Sequence, residues 1–192
     1  STNRATNSPY FLKYGSGNPV FVSLFTALRE GEQATMVIPG TAQAFPDLPA
    51  YAPMKVKIKS YVVRTQDDLI REFIIRNGYT VTETQADGLR YIRLKAGTGD
   101  IPAQGKVVKI KYTGRFLSSK AFDGNMSRTD SLSVTIGGTQ TVPGFQMGIE
   151  KMRLGEKAVI VFPSALGYGV NGNSSIPGYT PLSFEIYVAK IE

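Results

Sequence analysis

The chain has 192 residues, of which 42% are hydrophobic and 19% charged, so its composition supports a folded core. It has no cysteine and no histidine, which excludes disulfides, cysteine nucleophiles, zinc fingers and a histidine general base. The net charge is +7, but the 22 Lys and Arg residues are scattered and form no aromatic–basic motif, which argues against nucleic-acid binding. No apolar run approaches the ~18 residues that a membrane span needs.

An internal repeat connects the two ends of the chain. Residues 27–39 (ALREGEQATMVIP) recur as residues 151–163 (KMRLGEKAVIVFP), and residues 48–58 match residues 176–186 after a short gap. Extended backwards, this alignment places Ser1 opposite Asp123, so the first copy has no counterpart of residues 91–122. We therefore interpret residues 1–64 as a partial, degenerate copy of the C-terminal unit, and hypothesise that the chain was clipped or truncated within its first domain.

A strand and a helix are predicted at the end of the first unit and just beyond it. Val56 and Ile58 begin a strand-like alternation with polar residues. Thr65 followed by Asp68 is typical of a capping box, and Asn77-Gly78 indicates a helix end. Between them lie apolar residues at helical spacing: Leu69, Ile70, Phe73 and Ile74. We predict a linker helix over 66–77, within a connection over 65–90, whose apolar stripe packs on one or both units; a partner-binding helix is the alternative.

The second unit, residues 91–192, is predicted to be rich in strands. Two segments alternate with a period of two: Val108, Ile110 and Tyr112, and then Phe184, Ile186 and Val188. One short helix is expected after Pro143-Gly144, with Phe145, Ile149 and Met152 on one face. Strands with a single helix in each unit predict the α+β class.

Eight short motifs occur in order through this unit. They are Gly97-Thr-Gly99, Tyr112-Thr-Gly114, Phe122-Asp123, Val142-Pro-Gly-Phe145, Met152-Arg-Leu-Gly-Glu156, Leu166-Gly-Tyr-Gly169, Ile176-Pro177 and Leu182-Ser-Phe184. In this order and spacing they resemble the FKBP-type peptidyl-prolyl cis–trans isomerase domain. The resemblance covers about a hundred residues and implies a curved antiparallel sheet wrapped around one short helix, with a shallow apolar pocket between them.

The resemblance implies a set of site residues in the second unit. Catalytic roles fall on Tyr112, Phe122, Asp123, Tyr168 and Phe184, and substrate-binding roles on Val142, Phe145, Ile176, Leu132, Val134 and Arg128. Several positions depart from the family pattern: Phe145 stands where Trp is frequent, Leu132 and Val134 where Phe is frequent, and Thr141 where Val is frequent. These changes predict a smaller, less aromatic pocket, with altered inhibitor affinity and substrate preference.

The implied reaction is rotation about an X–Pro amide, whose barrier is roughly 18–20 kcal/mol because of partial double-bond character. No bond breaks, so no cofactor is expected. An apolar site that excludes water favours the less dipolar twisted amide. We expect the Ile176 N–H and the Tyr168 hydroxyl to hold substrate carbonyls, while Asp123 either orients Tyr112 or meets the twisted carbonyl.

The residues leave alternatives open for function, partners and location. The same pocket in a binding module or holdase chaperone with little turnover is the alternative to an enzyme. The first unit replaces Tyr168 by Ala44 and Phe184 by Val56, so we predict that it is silent and serves dimerisation, substrate holding or spacing. Expected partners are proline-containing polypeptides and macrolide-type inhibitors.

The chain begins at Ser1 with a polar leader, residues 1–9, and its tandem plan resembles bacterial exported FKBP-type proteins. We therefore expect a periplasmic protein or a surface lipoprotein whose lipidated residue lies upstream; a cytoplasmic location is the alternative. Two matches to the glycosylation acceptor pattern, at Asn125 and Asn173, are given no role.

Overall fold

The computed structural model describes residues 33–40, 51–58 and 64–192, and the chain divides into two units, Ser1–Val63 and Arg64–Glu192. In the first unit, β1 (Ala34–Gly40) pairs antiparallel with β2 (Tyr51–Ile58), with Ala34 opposite Ile58. The predicted strand at Val56–Ile58 is therefore confirmed as far as Ile58. Most of the interpretation of residues 1–64 as a partial repeat lies outside the described residues and stays a prediction.

The second unit is one antiparallel sheet with two α-helices and a 3₁₀ turn. Its elements are α1 (Gln66–Arg76), β3 (Glu83–Thr84), β4 (Arg90–Lys95), β5 (Val107–Phe116), β6 (Ala121–Gly124), β7 (Leu132–Thr135), α2 (Pro143–Ile149), β8 (Lys157–Phe162), the 3₁₀ turn (Ser164–Leu166) and β9 (Leu182–Ile191). The strand order is β3-β4-β8-β9-β5-β6, and β7 also pairs with β5. The predicted α+β fold with a curved antiparallel sheet is confirmed.

Alternate residues of the central strands face two separate apolar clusters, because side chains along a strand point to opposite faces. On β8, Ala158, Ile160 and Phe162 join the main core under α2, whereas Val159 and Val161 face α1. The main core also takes the inward residues of β5 and β9, including the two alternating segments that the sequence predicts as half-buried strands. The sheet is thus covered by a helix on each face.

Helix α1 begins and ends as the sequence predicts. The Thr65 hydroxyl accepts from the Asp68 N–H at 3.1 Å, and the Asp68 carboxylate accepts from the Thr65 N–H at 3.0 Å. The helix ends at Asn77, followed by Gly78 with a φ of +64°, a left-handed conformation that favours glycine.

The helix predicted as part of a linker over 65–90 is integral to the second unit. Ile70, Phe73 and Ile74 are buried against Ile92, Val159 and Val161, and each such side chain contributes about 1.5–3 kcal/mol of hydrophobic stabilisation. At the start of the helix, the Gln66 side chain accepts from the Ser164 N–H at 2.7 Å and donates to the Ser164 hydroxyl at 3.0 Å. Burial of these three residues accompanies a boundary between the units at Val63/Arg64, ahead of the helix.

Helix α2 carries the apolar face that the sequence predicts. Phe145 and Ile149 are buried in the main core, and Met152, which lies just beyond the helix, is fully buried with them. Pro143 occupies the first turn, where its missing N–H has no intrahelical partner to lose. Within residues 33–40, 51–58 and 64–192, no helix has the length and apolar character that a membrane crossing requires.

Candidate active site

Phe184 on β9 is the centre of an aromatic cluster at the interface of the sheet and α2. Its ring centroid lies 5.0 Å from Phe145, 5.6 Å from Phe122 and 6.3 Å from Tyr112. The Phe145 and Phe122 rings meet it edge to face, an arrangement that aromatic rings favour. The structure therefore brings together four site residues that are far apart in the sequence.

Gly114 explains why two of these rings approach the sheet so closely. It lies opposite Phe184 on β9 and opposite Asp123 on β6. A Cβ atom at Gly114 would lie 2.8 Å from ring carbons of both Phe122 and Phe184, closer than real Cβ contacts, so both rings would have to shift. The last residue of the Tyr-Thr-Gly motif is thus glycine because both aromatic walls pack over it.

A polar pair lies at the edge of this cluster. The Tyr112 hydroxyl donates to Asp123 Oδ2 at 2.6 Å, and the Gly124 N–H donates to Asp123 Oδ1 at 2.8 Å. The Tyr112 side chain is buried and Asp123 is exposed. Burial raises the pKa of Tyr112 well above its ordinary value, and the adjacent Asp123 carboxylate adds to the shift. Tyr112 is therefore a neutral hydrogen-bond donor near neutral pH, and in this structure Asp123 orients it.

The Ile176 N–H, which is predicted to hold a substrate carbonyl, has a partner within the protein. The Ile176 side chain is buried in the main core, but its N–H donates to Asn173 Oδ1 at 2.8 Å. The same oxygen accepts the Ser175 N–H at 2.8 Å. A substrate carbonyl would have to displace Asn173 Oδ1 to reach this N–H, so the role predicted for the Ile176 N–H stays a prediction.

A different backbone donor lies beside the cluster, at the start of α2. Val142 is half-buried, packs against the main core and is the N-cap residue of α2. Its carbonyl accepts from Phe145 and Gln146, whereas the described residues provide no acceptor for its N–H. Sequence reasoning missed this donor, although the Pro143 motif marks the helix start beside which it lies.

Tyr168 follows the 3₁₀ turn and packs, partly buried, against the same core. Burial and the Asp123 carboxylate are the main causes of the raised pKa of Tyr112. The Tyr168 hydroxyl raises this pKa further, whereas Arg128 lowers it. The Arg128 guanidinium is largely exposed and pairs with Asp130 at 3.4 Å, as expected for a residue at the rim.

The two predicted floor residues on β7 have different environments. Val134 is buried in the main core, but Leu132 is 36% exposed and lies outside the buried cluster. Leu132 is the first residue of β7, opposite Ile110, where the short strand begins and covers little of the core. The floor role of Leu132 stays a prediction, and Ile136 on the same side of the chain is buried.

Sequence reasoning missed two aromatic residues of the cluster. Phe162 stacks on Phe184 at 5.7 Å with an interplanar angle of 13°, and Phe116 lies 5.1 Å from Phe122. The alternation of β8 carries a signal for Phe162, since it places this residue on the inner face with Ile160. A shallow depression of about 420 Å³ adjoins Val142 through Thr141 and Pro143 but contains none of the aromatic residues.

The fold and this site define a domain of the peptidyl-prolyl isomerase class. The model of the FKBP-type peptidyl-prolyl cis–trans isomerase family matches residues 99–189. FK506-binding protein 1 of Candida glabrata is 34% identical over 113 residues, which are 58% of this chain and 99% of that protein. The chain therefore belongs to the FKBP-type peptidyl-prolyl cis–trans isomerases, and the predicted family and enzyme class are confirmed.

Longer bacterial relatives match over part of their length. The isomerase FkpA of Aeromonas hydrophila is 33% identical over 117 residues, which are 61% of this chain and 42% of that protein. The crystal structure of FkpA from Escherichia coli superposes with a TM-score of 0.57 at 27% identity, covering 65% of this chain and 57% of that one. The chain thus spans less than two thirds of these FkpA proteins.

Proposed function

We propose that the second unit catalyses rotation of X–Pro amide bonds in polypeptide clients at the cluster around Phe184. The observation that carries the proposal is that the rings of Tyr112, Phe122 and Phe145 all contact Phe184. The Tyr112–Asp123 hydrogen bond lies at the edge of this apolar surface. Four of the five predicted catalytic residues meet there, and Tyr168 packs against the same core.

The apolar surface accounts for faster rotation about the X–Pro amide bond. In the planar amide, resonance gives the C–N bond partial double-bond character and charge on oxygen, and both are lost as the bond twists. A prolyl ring on Phe145, between Phe122 and Phe184, lies in surroundings that stabilise the twisted amide relative to the planar one. No nucleophile or proton transfer is needed. This fits a site in which the neutral Tyr112 hydroxyl donates a hydrogen bond to the Asp123 carboxylate.

The polar groups at the edge orient the client chain. The N–H of Val142, the N-cap residue of α2, has no acceptor within the described residues, and we assign to it the carbonyl contact predicted for the Ile176 N–H. The Tyr168 hydroxyl is the second donor, and Asp123 acts by fixing Tyr112. Each such hydrogen bond contributes about 1–3 kcal/mol when its loss leaves a buried group unpaired.

The test is isomerisation of a series of X–Pro peptides by the full chain. Asp123→Ala and Tyr168→Phe should each lower kcat/KM by roughly tenfold or more. The matched controls are Asp100→Ala, an exposed carboxylate, and Tyr187→Phe, on the opposite face of β9; both should retain activity. A folded protein with no turnover above background would contradict the proposal.

The alternative is a binding module or holdase that uses the same surface with little turnover. The observation in its favour is that one of the two predicted carbonyl donors is already hydrogen-bonded within the protein. If the protein is a holdase, the Asp123→Ala variant should still suppress aggregation of an unfolded client. If it is an isomerase, the same variant should no longer accelerate refolding of the client.

The macrolide ligands implied by the family belong to the same surface. Relatives named FK506-binding proteins are similar to this chain over 79–99% of their length. We propose that FK506 competes with X–Pro peptides here, with weakened affinity because Phe145 offers a smaller ring than Trp. Titration of FK506 against the isomerisation assay tests this.

Export and the role of the first unit remain proposals too. The similarity to bacterial FkpA isomerases supports an exported protein, either periplasmic or a lipid-tethered surface protein. Fractionation of cells that make the full-length protein tests the location. Dimerisation through the first unit is tested by sedimentation of the full chain against a protein that begins at Arg64.

A further inference from the structure

Asn125 is a buried polar residue that the reaction as proposed does not use. It follows β6, is 2% exposed, and all its side-chain polar atoms have partners. Its Oδ1 accepts the Tyr112 N–H at 2.7 Å, and its Nδ2 donates to the Ile110 carbonyl at 3.2 Å. Since an N–H only donates and a carbonyl only accepts, these partners determine which side-chain atom is oxygen and which is nitrogen.

The backbone of Asn125 also forms a hydrogen bond with Tyr112. Its N–H donates to the Tyr112 carbonyl at 2.9 Å, so both backbone polar groups of Tyr112 are bonded to Asn125. Two residues earlier, the Asp123 carboxylate accepts the Tyr112 hydroxyl. The backbone and the hydroxyl of Tyr112 are thereby fixed by one three-residue segment, Asp123-Gly124-Asn125.

Gly124 leaves this segment little freedom to move away. A Cβ atom there would lie 2.8 Å from the Tyr112 carbonyl oxygen, so the turn lies directly against β5. Strand pairing ends at Gly124, opposite Thr113. Beyond it, the side-chain carbonyl of Asn125 replaces a strand carbonyl as the acceptor for Tyr112.

We propose that Asn125 is a positioning residue for the isomerase site, which sets the position of Tyr112 relative to Asp123 by bonding the Tyr112 backbone. The proposal rests on the proposed function for its kinetic consequence, but its structural consequence can be measured independently. It also gives Asn125 a role that is incompatible with glycosylation, because the acceptor nitrogen is buried and donates to two carbonyls.

The experiment uses Asn125→Ala in the full chain and observes tyrosine hydroxyl protons by NMR. The Tyr112 hydroxyl donates to the Asp123 carboxylate, and the Tyr91 hydroxyl donates to the Glu156 carboxylate at 2.5 Å. They are assigned by loss of each signal in Tyr112→Phe and Tyr91→Phe. In N125A, the Tyr112 signal should disappear or exchange at least tenfold faster with water, while the Tyr91 signal stays and reports an intact core.

Kinetics supply the second measurement. N125A should lower kcat/KM for X–Pro peptides by roughly five- to tenfold, the effect of one lost hydrogen bond. In a protein that already carries Asp123→Ala, the same substitution should change kcat/KM less than twofold, because the pair that it positions is gone. The matched control is Asn77→Ala, which removes an asparagine hydrogen bond to the Phe73 carbonyl at the end of α1, away from the site.

The outcomes separate this proposal from the proposed function. A wild-type protein without turnover contradicts the function, while the hydroxyl signals still decide the role of Asn125. Retention of the Tyr112 signal in N125A, or an equal kinetic loss in both backgrounds, overturns the proposal. If N125A does not fold, Asn125→Leu fills the same volume; if that variant also loses the Tyr91 signal, Asn125 is a residue for folding and the proposal is wrong.

Discussion

The Tyr112 hydroxyl and the Asp123 carboxylate form a hydrogen bond of 2.6 Å across the β5–β6 pair. The second carboxylate oxygen accepts the Gly124 N–H, so Asp123 has both oxygens occupied within the protein. This arrangement favours an orienting role for Asp123 over direct contact with the twisted carbonyl, the two roles that the sequence had left open.

The first prediction is that Tyr112 and Asp123 act as one unit. Tyr112→Phe and Asp123→Ala should each lower kcat/KM by about tenfold, and the double variant should be no worse than the poorer single variant by more than about twofold. The reason is that the Asp123 carboxylate is the acceptor of the Tyr112 hydroxyl among the described residues, so either substitution removes the same hydrogen bond. A double-mutant cycle in the peptide assay measures this, and additive losses would mean that the two residues act separately.

The second prediction concerns the loop that holds Ile176. Asn173→Ala removes the acceptor of both the Ser175 and Ile176 N–H groups, so the pocket wall should loosen. We expect kcat/KM to fall about threefold, mostly through KM, because ordering the wall then opposes binding. Asn171→Ala, at an exposed position in the same loop, is the control. An increase in activity would show instead that Asn173 competes with the client for the Ile176 N–H.

The third prediction concerns pH and the buried Glu156. Burial raises the pKa of Glu156, but hydrogen bonds from Tyr91, Arg93 and the Arg153 N–H outweigh it and hold the pKa below its ordinary value of 4.5. A group whose pKa is lower in the folded chain stabilises it fully above the unfolded pKa, and this stabilisation is lost as the pH falls through the folded pKa.

Glu156→Gln should therefore reduce the free energy of unfolding near neutral pH, and should show a smaller further loss between about pH 6 and about pH 3 than the wild type. Urea unfolding of both proteins at both pH values measures their free energies of unfolding. The contributions of the exposed carboxylates are the same in the two proteins and cancel when the acid losses are compared. Equal acid losses in wild type and variant would contradict the assignment.

The fourth prediction tests whether α1 belongs to the isomerase domain. Phe73→Ala should lower the free energy of unfolding of the second unit by about 3–5 kcal/mol, because a ring buried against Ile92 and Val159 is removed. Ile75→Ala, two residues along the same helix but 72% exposed, should change it by less than about 0.5 kcal/mol. Denaturation of a protein that begins at Arg64 measures both, and a small effect of Phe73→Ala would restore the linker interpretation.

Much of the fold could be predicted because it depends on local chemistry. The capping box at Thr65, the helix end at Asn77-Gly78 and the alternation of β5 and β9 are encoded within a few residues, and each is confirmed. The apolar residues of the site were recognised for a related reason. Their order along the chain follows a shared family pattern, whose fold and family are also confirmed.

The fold class, the family and the types of residue at the site could therefore be predicted from the amino-acid sequence. Which polar groups already have partners and which side chains are buried became visible only in the folded chain. The Ile176 N–H is taken by Asn173, Leu132 lies at an exposed strand end, α1 packs on the second unit, and Asn125 holds Tyr112. The physical reason is that hydrogen-bond partners and burial depend on groups distant in sequence, whereas propensity, capping and alternation are properties of neighbouring residues.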